Sequence, residues 1–114
     1  MSDDRLPAYL HHMRTAASDA CNFIDGVDKV EFVSDKRTQQ AVIMSLIILG
    51  EVATKVMDRY PEFAAQNPSI PWRNIRGMRN RIAHGYFDIN LDVVRDTVQT
   101  ALPNLLSQLR EIGS

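Results

Sequence analysis

The chain has 114 residues, 45% of them hydrophobic and 24% charged, with a formal net charge of −1 and one cysteine, Cys21. These values fit a single folded domain over residues 1–114 with a modest core, and they exclude a disordered polyelectrolyte, a disulfide scaffold and a protein that binds nucleic acid through bulk positive charge. Any contact with a polyanion has to be local.

The start, MSDDR, is acidic and has no apolar stretch behind a basic beginning, so no secretory signal is read there. Residues 4 to about 25 form the first predicted helix, with Leu6, Leu10, Met13, Ala17, Ala20 and Ile24 spaced by three or four and Pro7 tolerated in the first turn. His11 and His12 are adjacent, hence about 100° apart on a helix, which suits neither a shared metal nor one catalytic face. Cys21 reads as a buried reduced thiol. Gly26 breaks the pattern, and residues 27–34 are expected as a connector with one short helical turn.

A second long helix is expected from about residue 35 to residue 60, capped by Ser34 or Asp35 and stopped by Pro61. Its middle, AVIMSLIILG, is apolar nearly all the way round, which indicates a central position or a dimer interface. That run is about half of what a bilayer span requires, so no membrane segment and a cytoplasmic site are expected. Residues 61–71, PEFAAQNPSIP, are a proline-punctuated connector with one helical turn near residues 62–66, and Ser69 is placed to cap a helix beginning near Pro71. Asn90 caps a last helix to about residue 112. Leu91, Val94, Val98, Ala101, Leu102, Leu105, Leu109 and Ile112 are expected on one face of it, with a bend at Pro103. No strand-like alternation and no repeat is present, so the expected architecture is all-α, an antiparallel bundle of four main helices.

Residues 71–90, PWRNIRGMRNRIAHGYFDIN, carry the chemistry. Four of the ten arginines, Arg73, Arg76, Arg79 and Arg81, fall within nine residues, followed by His84 and Tyr86, with no carboxylate before Asp88. Guanidinium forks match phosphate oxygens, and histidine exchanges a proton near neutral pH, so the pattern points to phosphodiester chemistry. On a helix, Trp72, Ile75, Met78, Ile82 and Ala83 share a face, and Arg79 sits in its middle. A core-facing guanidinium is costly unless it is paired or opens into a cleft, so Arg79 is either a structural ion-pair member or a site residue. Glu51 projects from an apolar face in the same way and is the expected partner, with plain exposure to water as the alternative. Arg79 and His84 are about 140° apart on an ideal helix and converge only if the helix ends near His84; Gly85, in a left-handed C′ conformation, would end it.

Arg79, His84 and Tyr86 in the pattern R-x4-H-x-Y, the surrounding IPWRNIRGMRNRIAHGYFDINLDVV and the upstream LGEVATKV resemble the HepT-like branch of the HEPN superfamily, over residues 5 to about 109. The resemblance implies a HEPN-like dimeric bundle and a metal-independent endoribonuclease whose catalytic residues are Arg79 and His84. It also implies a type VII-like toxin–antitoxin pair with a minimal nucleotidyltransferase of the MntA-like kind, which adenylylates Tyr86. Glu51, Arg73, Arg76, Asn80 and Arg81 are then supporting or RNA-binding residues.

Cleavage of RNA without a metal needs a base for the 2′-hydroxyl, an acid for the leaving 5′-oxygen and a cation for the phosphorane charge. His84 is the proton carrier of the block and Arg79 the charge stabiliser. One imidazole serves one proton transfer at a time, so a homodimer with two His84 residues at one cleft is expected. No P-loop, Gly-rich nucleotide cradle or metal-ligand cluster is present, so no cofactor and no metal are expected. The alternative is a non-enzymatic helical module that docks a nucleotidyltransferase and assists nucleotide binding. On the bland side, Arg73, Arg76 and Arg81 would be a solvated face, His84 a helix-end residue and Tyr86 a core aromatic.

Overall fold

Local signals in the sequence start and stop seven helices in the computed structural model, which describes residues 4–112. The acidic beginning, residues 1–3, lies outside them. Helix α1, Leu6–Ile24, turns Tyr9, Leu10, Met13, Ala16, Ala17, Ala20 and Ile24 inward. Its alanines let it lie close against the central helix. Gly26 takes φ 75°, the left-handed conformation glycine adopts without steric cost, and reverses the chain. The Asp28 side chain then accepts the Glu31 N–H and starts α2, Lys29–Ser34, which drives Phe32 into the core at 1% exposure.

Asp35 closes α2 and caps α3, Lys36–Arg59, accepting from both the N–H and the hydroxyl of Thr38. Helix α3 is the centre of the bundle and packs on α1, α2, the short α4 (Pro61–Gln66) and α5 (Trp72–His84). Val42, Ile43, Leu46, Leu49, Ala53 and Val56 face this core. By length and composition α3 is also apolar enough to cross a membrane, and half of its most apolar window is buried inside the bundle. Val52, Ala53, Val56 and Met57 extend its apolar character beyond the ten residues that stood out in the sequence. One stripe, Met44 and Ile48, stays open to solvent.

Helix α5 begins at Trp72 with no side-chain cap, so Ser69 does not play the role expected of it. Burial of Ile70 at 1% exposure fixes the preceding turn instead, and the Ser69 carbonyl accepts from Gln108. Trp72 donates its indole N–H to the Asn67 carbonyl and meets Phe63 edge-on. The buried face of α5 is Trp72, Ile75 and Ile82, with Met78 and Arg79 half-buried; Ala83, expected on that face, is exposed.

Asn90 accepts from the N–H groups of Asp92 and Val93 and opens the last helical run, α6 (Leu91–Asp96), a π turn (Thr97–Ala101) and α7 (Leu102–Ile112). Pro103 has no N–H to give to the turn before it, and the chain accommodates this with the wider turn, in which the Leu102 N–H reaches the Thr97 carbonyl. The extra residue turns Ala101 outward and Leu102 inward, in register with Val94, Val98, Leu105 and Leu109. Helices α1, α3 and α5 and the α6–α7 run are the four main elements of an all-α bundle, with α2 and α4 as short connectors.

At Gly50 α3 and α5 come closest. A Cβ built there would overlap the Arg79 Cβ and stand 3.2 Å from the Ile75 carbonyl oxygen. Glycine inside a helix costs about 1 kcal/mol relative to alanine, so its use here reflects the neighbour rather than the helix.

Gly50→Ala is therefore expected to be net destabilising: overpacking costs about 1–3 kcal/mol, against about 1 kcal/mol gained in helix propensity. Urea denaturation checks this, and a variant as stable as the wild type would mean that α5 has room to shift. A second expectation concerns acid. The Thr38 hydroxyl and N–H hold the Asp35 carboxyl below the usual aspartate range, and the Glu31 N–H does so for Asp28. Their stabilisation is present above the ordinary aspartate range and is lost as pH falls through the lowered folded values. Asp35→Asn keeps an oxygen for capping but does not titrate, so its melting temperature should fall less steeply with acid than that of the wild type.

Candidate active site

The close approach at Gly50 places the Arg79 side chain against α3, where its head reaches two α3 residues. The Arg79 Nη1 lies 3.3 Å from the Glu51 Oε1, and the Nη2 donates at 3.4 Å to the Thr54 Oγ1. The Thr54 hydroxyl in turn donates to the Gly50 carbonyl at 2.8 Å, which fixes its lone pairs toward the guanidinium. The Arg79 side chain is 23% exposed and that of Glu51 51%, so the pair sits at the rim of the core with one partner in water. The pairing expected from the two misplaced charges is present. Its worth to stability is about 1 kcal/mol or less, as for other solvent-accessible pairs, so its main consequence is the orientation of the guanidinium. The Arg79 Nε is buried without a hydrogen-bond partner, a cost the fold carries at this position.

His84 is the last residue of α5 and is exposed. The helix ends there through the Gly85 N–H to the Arg81 carbonyl, 3.1 Å, and a 3₁₀ turn, Tyr86–Asp88, closed by the Asp88 N–H on the Gly85 carbonyl. Gly85 has φ −139°, so the left-handed ending expected of it does not occur: the 3₁₀ turn does the work of the αL cap. No hydrogen bond links Arg79 to His84. Tyr86 is 42% exposed and meets Phe87 edge-on, and Phe87 is 97% exposed, so neither ring belongs to the core.

The arginines that cluster in sequence separate in space. Arg79 turns to α3. Arg73 and Arg76 line a groove of about 600 Å³ with Pro61, Pro71 and Trp72. Arg81 lines a different cleft, between α5 and α6. Asn80 is exposed. Residue spacing alone had concealed this division, along with Gly50 and Thr54. The signal for Gly50 was a glycine inside an otherwise strongly apolar helix. His11 and His12 are exposed and their rings are tilted 5.9 Å apart, and the Cys21 thiol, pushed up by burial, points at the Val98 carbonyl.

The family described as Ribonuclease HepT-like matches residues 13–112. A protein of Methanocaldococcus jannaschii named as a candidate RNase is 31% identical over 105 residues, covering 92% of this chain and 84% of its own. One of Caldanaerobacter subterraneus subsp. tengcongensis, named in the same way, is 32% identical over 104 residues, covering 91% and 90%. The "Probable ribonuclease HepT" of Thermococcus cleftensis is 34% identical over 82 residues, 72% of either chain. No solved structure matches. The helical bundle, the R-x4-H-x-Y block and these matches together establish that the chain belongs to the ribonuclease HepT-like family of the HEPN superfamily.

Proposed function

We propose that this protein is a metal-independent endoribonuclease, the toxin of a type VII-like pair, with Arg79 and His84 as its catalytic residues. The observation that carries the reading is the contrast between them: a guanidinium held in one orientation by Glu51 and Thr54, and an unencumbered imidazole on the same helix. A fixed cation suits the charge of a phosphorane, and a free imidazole suits proton transfer. In the reaction His84 takes the proton of the 2′-hydroxyl, the 2′-oxygen bonds to phosphorus, and the bond to the 5′-oxygen breaks. That oxygen receives a proton from a second imidazole, leaving a 2′,3′-cyclic phosphate and a 5′-hydroxyl.

The second imidazole is His84 of a second copy. The open stripe on α3 supports this: Met44 is 55% and Ile48 43% exposed, and they lie two turns and one turn before Glu51 on the same face. A copy packed on that stripe adjoins the Glu51–Arg79 pair. Tyr86 is the control point. Its ring is accessible, and adenylate placed on its hydroxyl by a nucleotidyltransferase partner brings negative charge and bulk beside the arginines an RNA phosphate needs.

His84→Ala is expected to lower cleavage by about 10²-fold or more, the scale of a lost general base, while melting and helix content stay close to wild type because the side chain is exposed. Cleavage unchanged in this variant would end the catalytic assignment, and RNA or partner binding without any cleavage in the wild type would favour a binding module. Tyr86→Phe is expected to keep cleavage and to escape the partner. Intact mass after incubation of each protein with the nucleotidyltransferase and ATP decides it, and equal adenylate on both would place the modification elsewhere.

A further inference from the structure

The cleft between α5, the 3₁₀ turn and α6 is separate from the Glu51–Arg79 pair and has a chemistry of its own. Its volume is about 630 Å³, and its apolar walls include Leu46, Met78, Ile82 and Val94. Five polar side chains also line it. Two are already committed: Asn90 caps α6, and the Thr97 hydroxyl donates to the Val93 carbonyl. The other three, Asn74, Arg81 and Asp88, make no hydrogen bond or ion pair with another described residue. The Arg81 guanidinium lies back along α5, with its Nη1 3.5 Å from where a Gly77 Cβ would stand, an ordinary contact distance.

A mainly apolar cleft with a free guanidinium and a free carboxylate on its lining suits a planar ring whose edges carry acceptors on one side and donors on another. Guanine is that ring among the RNA bases. Its O6 and N7 accept from an arginine fork, and its N1–H and N2–H₂ donate to a carboxylate. Adenine offers a donor where Arg81 also donates and no N1–H for Asp88. Uracil and cytosine lack N7. Bases of single-stranded RNA are read in this way, splayed into apolar slots and bonded on their edges. We infer that the cleft seats a guanine base of single-stranded RNA, read by Arg81 and Asp88. The inference deepens the ribonuclease reading and rests on it for the claim that the guanine belongs to a substrate. The cleft lies beside Gly85, next to His84, so a nucleotide held there by its base brings its ribose and phosphate to the helix end that carries the imidazole.

The test uses oligoribonucleotides with a single guanosine, each also made with inosine, which lacks only the N2 amine. Wild type is expected to cut next to guanosine about tenfold or more faster than next to inosine, the scale of one hydrogen bond to a charged group, and Asp88→Ala is expected to erase the difference. Asp88→Asn, of the same size, controls for folding and should weaken the preference, since its amide keeps one accepting oxygen but loses the charge. Equal cutting of the two substrates by wild type, or an unchanged ratio in both variants, overturns the inference while leaving the ribonuclease reading in place. If wild type cuts neither, NMR titration with GMP and IMP gives an independent readout. Tighter GMP binding lost in Asp88→Ala would sustain the cleft and sink the ribonuclease reading, and equal binding would sink both.

Discussion

The contact between α3 and α5 at Gly50 is the constraint on which the rest of the site depends. Only a residue without a Cβ admits the Arg79 backbone and Cβ at that distance. Once α5 lies that close, Glu51 and Thr54, one and four residues further along α3, are the groups a guanidinium on α5 can reach. The LGE triplet thus divides into three physical tasks: Leu49 fills the core at 0% exposure, Gly50 clears the approach, and Glu51 meets the charge. A bulkier residue at position 50 would not simply lower stability. It would push α5 outward and separate Arg79 from both partners.

Holding a guanidinium at the rim of a core is a poor way to gain stability. Its Nε is left without a partner, and the ion pair with a half-exposed glutamate contributes little in return. What the arrangement gains is orientation, since a long side chain with about 2 kcal/mol of rotamer entropy is confined before any ligand arrives. A charge confined in this way stabilises a transition state without the reorganisation a mobile surface arginine would need.

The helical class and the Arg79–Glu51 pairing were legible in the sequence because both arise from residue spacing. An arginine at the i+4 position from Ile75 and three before Ile82 has to face whatever those isoleucines pack against. The caps at Asp35 and Asn90 were legible for the same local reason, a short acceptor side chain just ahead of an apolar run. The expectations that failed were those that needed tertiary context. Ser69 gave way to the burial of Ile70, Gly85 to a 3₁₀ turn, and Ala101, expected on the inner face, turned outward because a π turn ahead of Pro103 changes the register. The cationic cluster was a property of the string and not of the surface, since neighbouring residues of a helix point in different directions.

The separation of the arginines bears on how the site is assembled. On an ideal helix Arg81 lies about 200° from Arg79, and His84 lies about 60° from Arg81 but about 140° from Arg79, some 7.5 Å further along the axis. Helix α5 therefore stands as a wall, with the oriented guanidinium on its α3 side and the cleft with Arg81 and Asp88 on its α6 side. A nucleotide whose base occupies that cleft meets His84 of the same chain more readily than Arg79. With a base in that cleft, as inferred above, the imidazole and the cleft would form one site, and a second copy packed on the open Met44–Ile48 stripe, as proposed above, would be the most direct source of the guanidinium that completes it. The dimer proposed to supply a second proton carrier would thus also be the simplest way to bring an Arg79 and a His84 onto one phosphate.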